Sequence, residues 1–163
     1  MYTIAVIGDS GVGKSTFINK LRGLKFDPKY KPTINSKEID IKLTNIPKIE
    51  DSVIENKITK TKTIKIVEFG GQTKYNDQNY EKYNFDLVIV MYDLDRKITT
   101  ESINKYKQIF KDKNIILIGN KSDIQKYNLI SDKSINLNIS NKILNVPEIL
   151  KQLLISNNTN KIQ

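Results

Sequence analysis

Apolar positions fall along this chain in two alternating rhythms. Tyr2–Ile7 is a short dense apolar run that stops at Gly8, the pattern of a parallel strand buried on both faces. Lys14–Leu24 then places Phe17, Ile18, Leu21 and Leu24 at helical spacing. Glu38–Leu43 alternates Ile39, Ile41 and Leu43, as a half-exposed strand does, and Thr63–Phe69 follows with Ile64, Ile66, Val67 and Phe69. Leu87–Tyr92 and Asn114–Ile118 are two further buried runs, separated by a helix whose inner face is marked by Ile103, Tyr106 and Phe110. Ser134–Ile139 reads as a weaker strand. Asn145-Val146-Pro147 opens a last helix, with Asn as its cap, Pro in its first turn, and Ile149, Leu150, Leu153 and Leu154 on its apolar face.

Strands alternating with helices predict an α/β fold: a mostly parallel, six-stranded sheet with helices on both faces. Residues 44–62 break the rhythm. They are polar, mix both charges and contain Pro47, so they read as an extended loop or lengthened hairpin inserted between the second and third strands. The expected organisation is one domain over residues 1–156 and a polar tail over 157–163, with no internal repeat.

The 163 residues suffice for one sizeable core. Cysteine is absent, which excludes a disulfide framework, a thiolate metal site and a cysteine nucleophile, and fits a reducing compartment. No apolar run reaches the length of a membrane span, and Met1-Tyr2-Thr3 lacks the shape of a signal peptide, so a cytoplasmic or nuclear setting is expected. Lys and Arg number 27 against 18 acids, a net charge of +9. The bases are almost all Lys, spread evenly beside abundant Asn and Ile, which points to an AT-rich coding sequence. There is no aromatic-basic motif for nucleic acid, and no nucleic-acid partner is expected.

The chemistry begins at Gly8-Asp9-Ser10-Gly11-Val12-Gly13-Lys14-Ser15, which matches G-x-x-x-x-G-K-[ST] between a predicted strand and a predicted helix. The glycines allow a tight turn with no Cβ in the way of phosphate. Backbone N–H groups from Gly11 to Ser15 can point inward, Lys14 supplies charge to β and γ phosphates, and the Ser15 hydroxyl suits Mg²⁺. Asn120-Lys121-Ser122-Asp123 follows a buried strand and selects the base. The Asp123 carboxylate can accept from guanine N1–H and the exocyclic amine, donors that adenine lacks in that arrangement. Lys121 can lie along the ring, and Asn120 can tie this loop to the phosphate loop.

With these motifs in order, the chain resembles a Ras-superfamily small GTPase, a P-loop NTPase G domain, nearest in look to Rab- and Ran-type members. The resemblance implies GTP/GDP and Mg²⁺ as ligands. It extends the nucleotide cradle to Thr16. It makes Tyr30-Lys31-Pro32-Thr33-Ile34 the first switch, in which Tyr30 closes over the phosphates and Thr33 meets Mg²⁺ and the γ-phosphate. Phe26 is the aromatic edge on guanine. Glu68-Phe69-Gly70-Gly71-Gln72 is the second switch: Glu68 attends the metal, Gly71 gives its N–H to the γ-phosphate, and Gln72 orients the attacking water. Ser140-Asn141-Lys142 would meet the guanine oxygen. The implied partners are an exchange factor, an activating protein and an effector.

This sequence also departs from that pattern. Glu68 stands where the family carries Asp, so the carboxylate either crowds the ion, reaches it directly or points elsewhere. Asn35 and Ser36 replace acids of Ras-type effector surfaces. Thr33 and Glu68 lie 35 residues apart, longer than usual, and Asn120 and Ser140 lie 20 apart, shorter than usual. Without cysteine the chain cannot be prenylated or palmitoylated, and Tyr2 excludes N-myristoylation, so no lipid anchor is expected. The only arginines are Arg22, on the first helix, and Arg96, after the fourth strand, and neither is expected to act on phosphate in cis. Two readings follow: a slow GTPase switch assisted by an outside arginine, or a guanine-nucleotide-binding scaffold that does not hydrolyse.

Overall fold

In the computed structural model the described residues are 1–29, 31–43, 62–72, 79–124 and 134–136. The elements run β1 (Tyr2–Ile7), α1 (Lys14–Leu21), β2 (Ser36–Leu43), β3 (Lys62–Phe69), β4 (Leu87–Asp93), α2 (Lys97–Ile109), β5 (Ile115–Asn120) and β6 (Ser134–Asn136). Short 3₁₀ turns cover Tyr80–Lys82 and Ser122–Ile124. The sheet order is β2-β3-β1-β4-β5-β6, and every pairing is parallel except β2 with β3. This is the expected α/β, mostly parallel architecture.

The pleat sorts each apolar run onto two faces. Ile4 and Val6 of β1, with Ile64, Ile66, Leu87, Ile89 and Met91, pack under Phe17, Ile18 and Leu21 of α1. Ala5 and Ile7, with Val67, Val88, Val90 and Tyr92, pack against Ile103 and Tyr106 of α2. Burial on both sides is why β1 and β4 read as unbroken apolar runs rather than alternating ones. Each fully buried Ile, Leu or Val contributes roughly 1.5–3 kcal/mol, so the two layers dominate the fold's stability.

The predicted end of the first helix is corrected. Helix α1 stops at Leu21, not Leu24. Gly23 adopts φ 72°, its N–H bonds the Lys20 carbonyl at 3.0 Å, and the Leu24 N–H bonds the Asn19 carbonyl at 2.9 Å. This is a Schellman closure, which glycine favours because it meets no Cβ penalty at positive φ. Leu24 is left outside the helix and 47% exposed. The expected strand over Ser134–Ile139 is described only for Ser134–Asn136. The predicted last helix, the polar tail and residues 44–61 of the predicted insertion lie outside the described residues.

Strands β1, β4 and β5 end side by side at Ile7, Asp93 and Asn120. Their carboxyl ends form one rim, where open α/β sheets bind ligands.

Candidate functional site

The phosphate-loop motif spans the turn from β1 into α1. Gly13, at the helix N-cap, has φ 102° and offers no side-chain cap, so the first N–H groups of α1 remain for an anion. A Cβ on Gly13 would strike the Asn120 amide, whose Nδ2 donates to the Val12 carbonyl at 2.9 Å. The Val12 side chain is buried in the core, while Gly11 is exposed and Thr16 is half-buried on the first turn of α1. Lys14 is 6% exposed. Its Nζ donates to the carbonyls of Gly8 (2.7 Å) and Asp9 (2.8 Å), leaving one of three protons for a ligand. Burial pulls the ammonium down to a pKa of about 8. Glu68 and Asp9 oppose that shift, and the charge of Arg96 adds to it.

Three oxygens meet beside this loop. The Ser15 hydroxyl donates to Glu68 Oε1, the Thr33 hydroxyl donates to the same oxygen at 3.1 Å, and the two hydroxyls are 3.3 Å apart. Glu68 is 2% exposed and paired in regular register with Val6 of β1 and Lys37 of β2, so no bulge redirects it. It reaches the hydroxyls by its own length. The Gly70 N–H bonds the Asn35 carbonyl at 2.6 Å, joining the segments before β2 and after β3. Gly71 lies so close to the Asp9–Ser10 backbone that a Cβ has no room. One carboxylate and two hydroxyls are hard donors that fit Mg²⁺, which commonly completes its shell with water and substrate phosphate. Among the described residues no group of three or more His, Cys, Asp or Glu offers a rival metal site.

The other part of the site begins where β5 ends. Lys121 adopts φ 64°, and the 3₁₀ turn Ser122–Ile124 sets Asp123 on the surface. Asp123, Lys121, Phe26 and Ile124 line one end of a cleft of about 530 Å³; Lys14, Ser15, Thr33, Glu68 and Gly71 line the other. That volume suits a nucleotide-sized ligand. Phe26 and Ile124 are 49% and 51% exposed, so two apolar side chains stand ready to cover a flat ring.

Of the remaining sequence-predicted residues, Gln72 is exposed and is not among the residues lining the cleft. Tyr30, Ser140, Asn141 and Lys142 lie outside the described residues. Sequence reasoning missed Asp93 and the contact that Arg96 makes with the phosphate loop. Asp93 is fully buried and accepts from Lys121 Nζ (2.5 Å), Arg96 Nε (2.8 Å) and the Asp95 N–H (2.9 Å). Burial alone would raise this carboxyl, but those hydrogen bonds and the Lys121 charge outweigh it and hold the pKa below the ordinary value. Arg96 also donates from Nη2 to the Ser10 carbonyl at 2.8 Å. The missed signal was a carboxylate ending the most apolar strand of the chain, Leu87–Asp93, where only paired charge is tolerated.

Residues 3–123 match the family model described as Roc, "Ras of Complex, Roc, domain of DAPkinase". The chain is also similar to the tobacco Ras-related protein Rab11B, 26% identical over 137 residues, covering 80% of this chain and 58% of the relative. Ras-related protein YPT3 of Nicotiana plumbaginifolia is 29% identical over 131 residues, covering 77% and 55%. Ras-related protein Rab-7a of Dictyostelium discoideum is 25% identical over 140 residues, covering 80% and 63%. The chain thus spans less than two thirds of the length of these relatives.

Proposed function

The chain belongs to the Roc family of Ras-type GTPase domains, which are small GTP-binding proteins, and from that premise we propose that it binds GTP and GDP with Mg²⁺ and works as a slow two-state switch. The observation that carries this reading is a cleft lined together by the phosphate loop, Thr33, Glu68, Gly71 and the Asn120–Asp123 turn. The N-terminus of α1 and the Lys14 ammonium hold the phosphates, and Asp123 and Lys121 hold guanine. Mg²⁺, when bound, neutralises charge between the terminal phosphates. Ser15, Thr33 and Glu68 are the residues that would hold it. A γ-phosphate fixes the segments of Thr33 and Gly71 against the phosphate loop, and its loss frees them. Gln72 orients water from the edge of the cleft. Neither arginine lines the cleft, so turnover is slow and an activating protein supplies the missing charge. An exchange factor and an effector complete the cycle.

The test is chromatography of the nucleotide that co-purifies, then of GTP-loaded protein sampled over time with Mg²⁺. Guanine nucleotide is expected, with GTP passing slowly to GDP. Gln72→Leu is expected to leave binding intact and slow single-turnover hydrolysis by about 100-fold, the lower end of the range for a positioned proton-handling group. Equal rates would remove Gln72 from the chemistry. A second reading, a scaffold that holds nucleotide without hydrolysing it, is favoured by the position of Gln72 outside the cleft lining. GTP that persists unchanged would establish it.

Glu68 sets a further expectation. Its carboxylate already occupies the hydroxyl pair, whereas a shorter acid would leave room for a water between itself and the ion. Glu68→Asp is therefore expected to tighten Mg²⁺ by about 10-fold or more and slow GDP release, in line with the 10–100-fold scale of such changes around a metal. Mg²⁺ titrations of fluorescent GDP release from both proteins check this. Superimposable curves would deny Glu68 any special role.

A further inference from the structure

The β4–α2 junction holds the phosphate loop from outside the cleft. Thr99 anchors the junction: its hydroxyl accepts from the Asp93 N–H at 3.0 Å and donates to the Arg96 carbonyl at 2.8 Å. From this anchor two side chains reach the loop at adjacent residues. The Tyr106 hydroxyl donates to Asp9 Oδ1 at 3.1 Å, and Arg96 Nη2 donates to the Ser10 carbonyl at 2.8 Å. The second contact has a geometric consequence. In a trans peptide, the carbonyl of one residue and the N–H of the next point in opposite directions, and no cis bond occurs among the described residues. Holding the Ser10 carbonyl outward therefore aims the Gly11 N–H inward, at the phosphate end of the cleft. Gly11 has φ 75° and no side chain to restrain it, so an external restraint matters there.

Arg96 is itself held by Asp93, and the same Asp93 oxygen also receives Lys121 Nζ from the base side. One buried carboxylate thus links the residue beside the base to the residue that orients the phosphate loop. Only a planar guanidinium can bond carboxylate and carbonyl from two fixed nitrogens; an ammonium offers a single nitrogen.

We propose that Arg96 is a positioning residue that fixes the Ser10–Gly11 peptide for phosphate binding, and that Asp93 couples this device to Lys121 at the base. The inference rests on the guanine-nucleotide reading above. It assigns Arg96 no contact with the reacting atoms.

The experiment measures GDP and GMP affinity by competition against fluorescent GDP, in the parent, Arg96→Gln, Arg96→Lys and Asp93→Asn. GMP lacks the phosphate that reaches the Gly11 N–H, so it reports the base side. Arg96→Gln is expected to weaken GDP about tenfold and leave GMP within twofold, and Arg96→Lys to recover part of the loss. Asp93→Asn is expected to weaken both ligands, because it releases Arg96 and Lys121 together. GDP affinity unchanged in Arg96→Gln overturns the proposal, and so does an equal loss of GDP and GMP, which would mark a merely structural role. Should Arg96→Gln not fold, Arg96→Lys makes the same comparison, with GDP weakened and GMP kept. A parent that binds no GDP overturns the functional reading, and this inference with it, before any variant is compared.

Discussion

Lys14→Ala is expected to weaken GDP and GTP by about 10²–10⁴-fold. Of the lysines that line the cleft among the described residues (Lys14, Lys29, Lys31 and Lys121), Lys14 alone is buried, and two of its protons are already committed to the Gly8 and Asp9 carbonyls. The loss combines the one charge-assisted hydrogen bond left to Lys14, worth about 1.5–3 kcal/mol, with the attraction of its buried charge for the phosphates, worth a few kcal/mol more, at about tenfold per 1.4 kcal/mol. The same lysine gives the unaltered protein a pH signature. With a pKa of about 8 in the free protein, Lys14 carries its charge at pH 7 and loses it as the pH passes 8. Phosphate raises that pKa, so binding above pH 8 must recapture a proton, and affinity falls by up to about tenfold per pH unit. The stability of the free protein moves the other way. Its folded pKa lies below the ordinary lysine value, so the unfolded chain holds more protons between about 8 and 10.5, and Lys14 adds stability as pH rises through that window. Calorimetric titration with GDP between pH 7 and 9 checks both proteins: the parent shows the fall and Lys14→Ala does not. A parent curve flat to pH 9 would remove Lys14 from the phosphate contact.

Asp123→Asn is expected to cost guanine nucleotides about 10²–10⁴-fold and to create a preference for xanthine nucleotides. A carboxylate accepts both guanine donors, N1–H and the exocyclic amine, at about 1.5–3 kcal/mol for each charged hydrogen bond. An amide accepts from N1–H but meets the amine donor to donor. Xanthine carries an oxygen at that place, and the amide can donate to it. Asp123 is exposed at the mouth of the cleft, so the change leaves the core untouched and stability within about 0.5 kcal/mol. Competition by GDP, XDP and ADP decides it. An unaltered protein that takes ADP as readily as GDP would place specificity elsewhere, and a variant blind to XDP would deny the pairing to residue 123.

What could be read in advance was local. The phosphate-loop motif is consecutive in sequence, so Gly8–Ser15 carried its own conformation. The apolar runs told the strands, since burial on both faces leaves few polar interruptions. The boundary error at Leu24 arose because an apolar residue at helical spacing outvoted the Arg22-Gly23 stop signal, though the chain closes on the glycine. The relation between β4 and the phosphate loop could not be read. Arg96 and Ser10 are 86 residues apart, and nothing near Arg96 announces that Thr99 will turn the strand end back over the loop. Glu68 was legible as a departure but not in outcome. Whether its extra methylene would matter depended on the β3 register against β1, a tertiary fact.

The hairpin of β2 and β3 carries Thr33 just ahead of one arm and Glu68 near the end of the other. Thr33 and Glu68 therefore lie at one end, and the connection from Leu43 to Lys62 is made at the opposite end. Chain length added in that connection leaves the separation of Thr33 and Glu68 unchanged. Its closure entropy grows only with the logarithm of length, about 0.6 kcal/mol per doubling. A single residue inserted within β3 would act differently: it would shift the pairing by one and turn the glutamate to the other face of the sheet. The same stretch of gene is thus permissive at its middle and intolerant near its ends, which is how this chain can lengthen the interval between Thr33 and Glu68 while the oxygens of Ser15, Thr33 and Glu68 still meet.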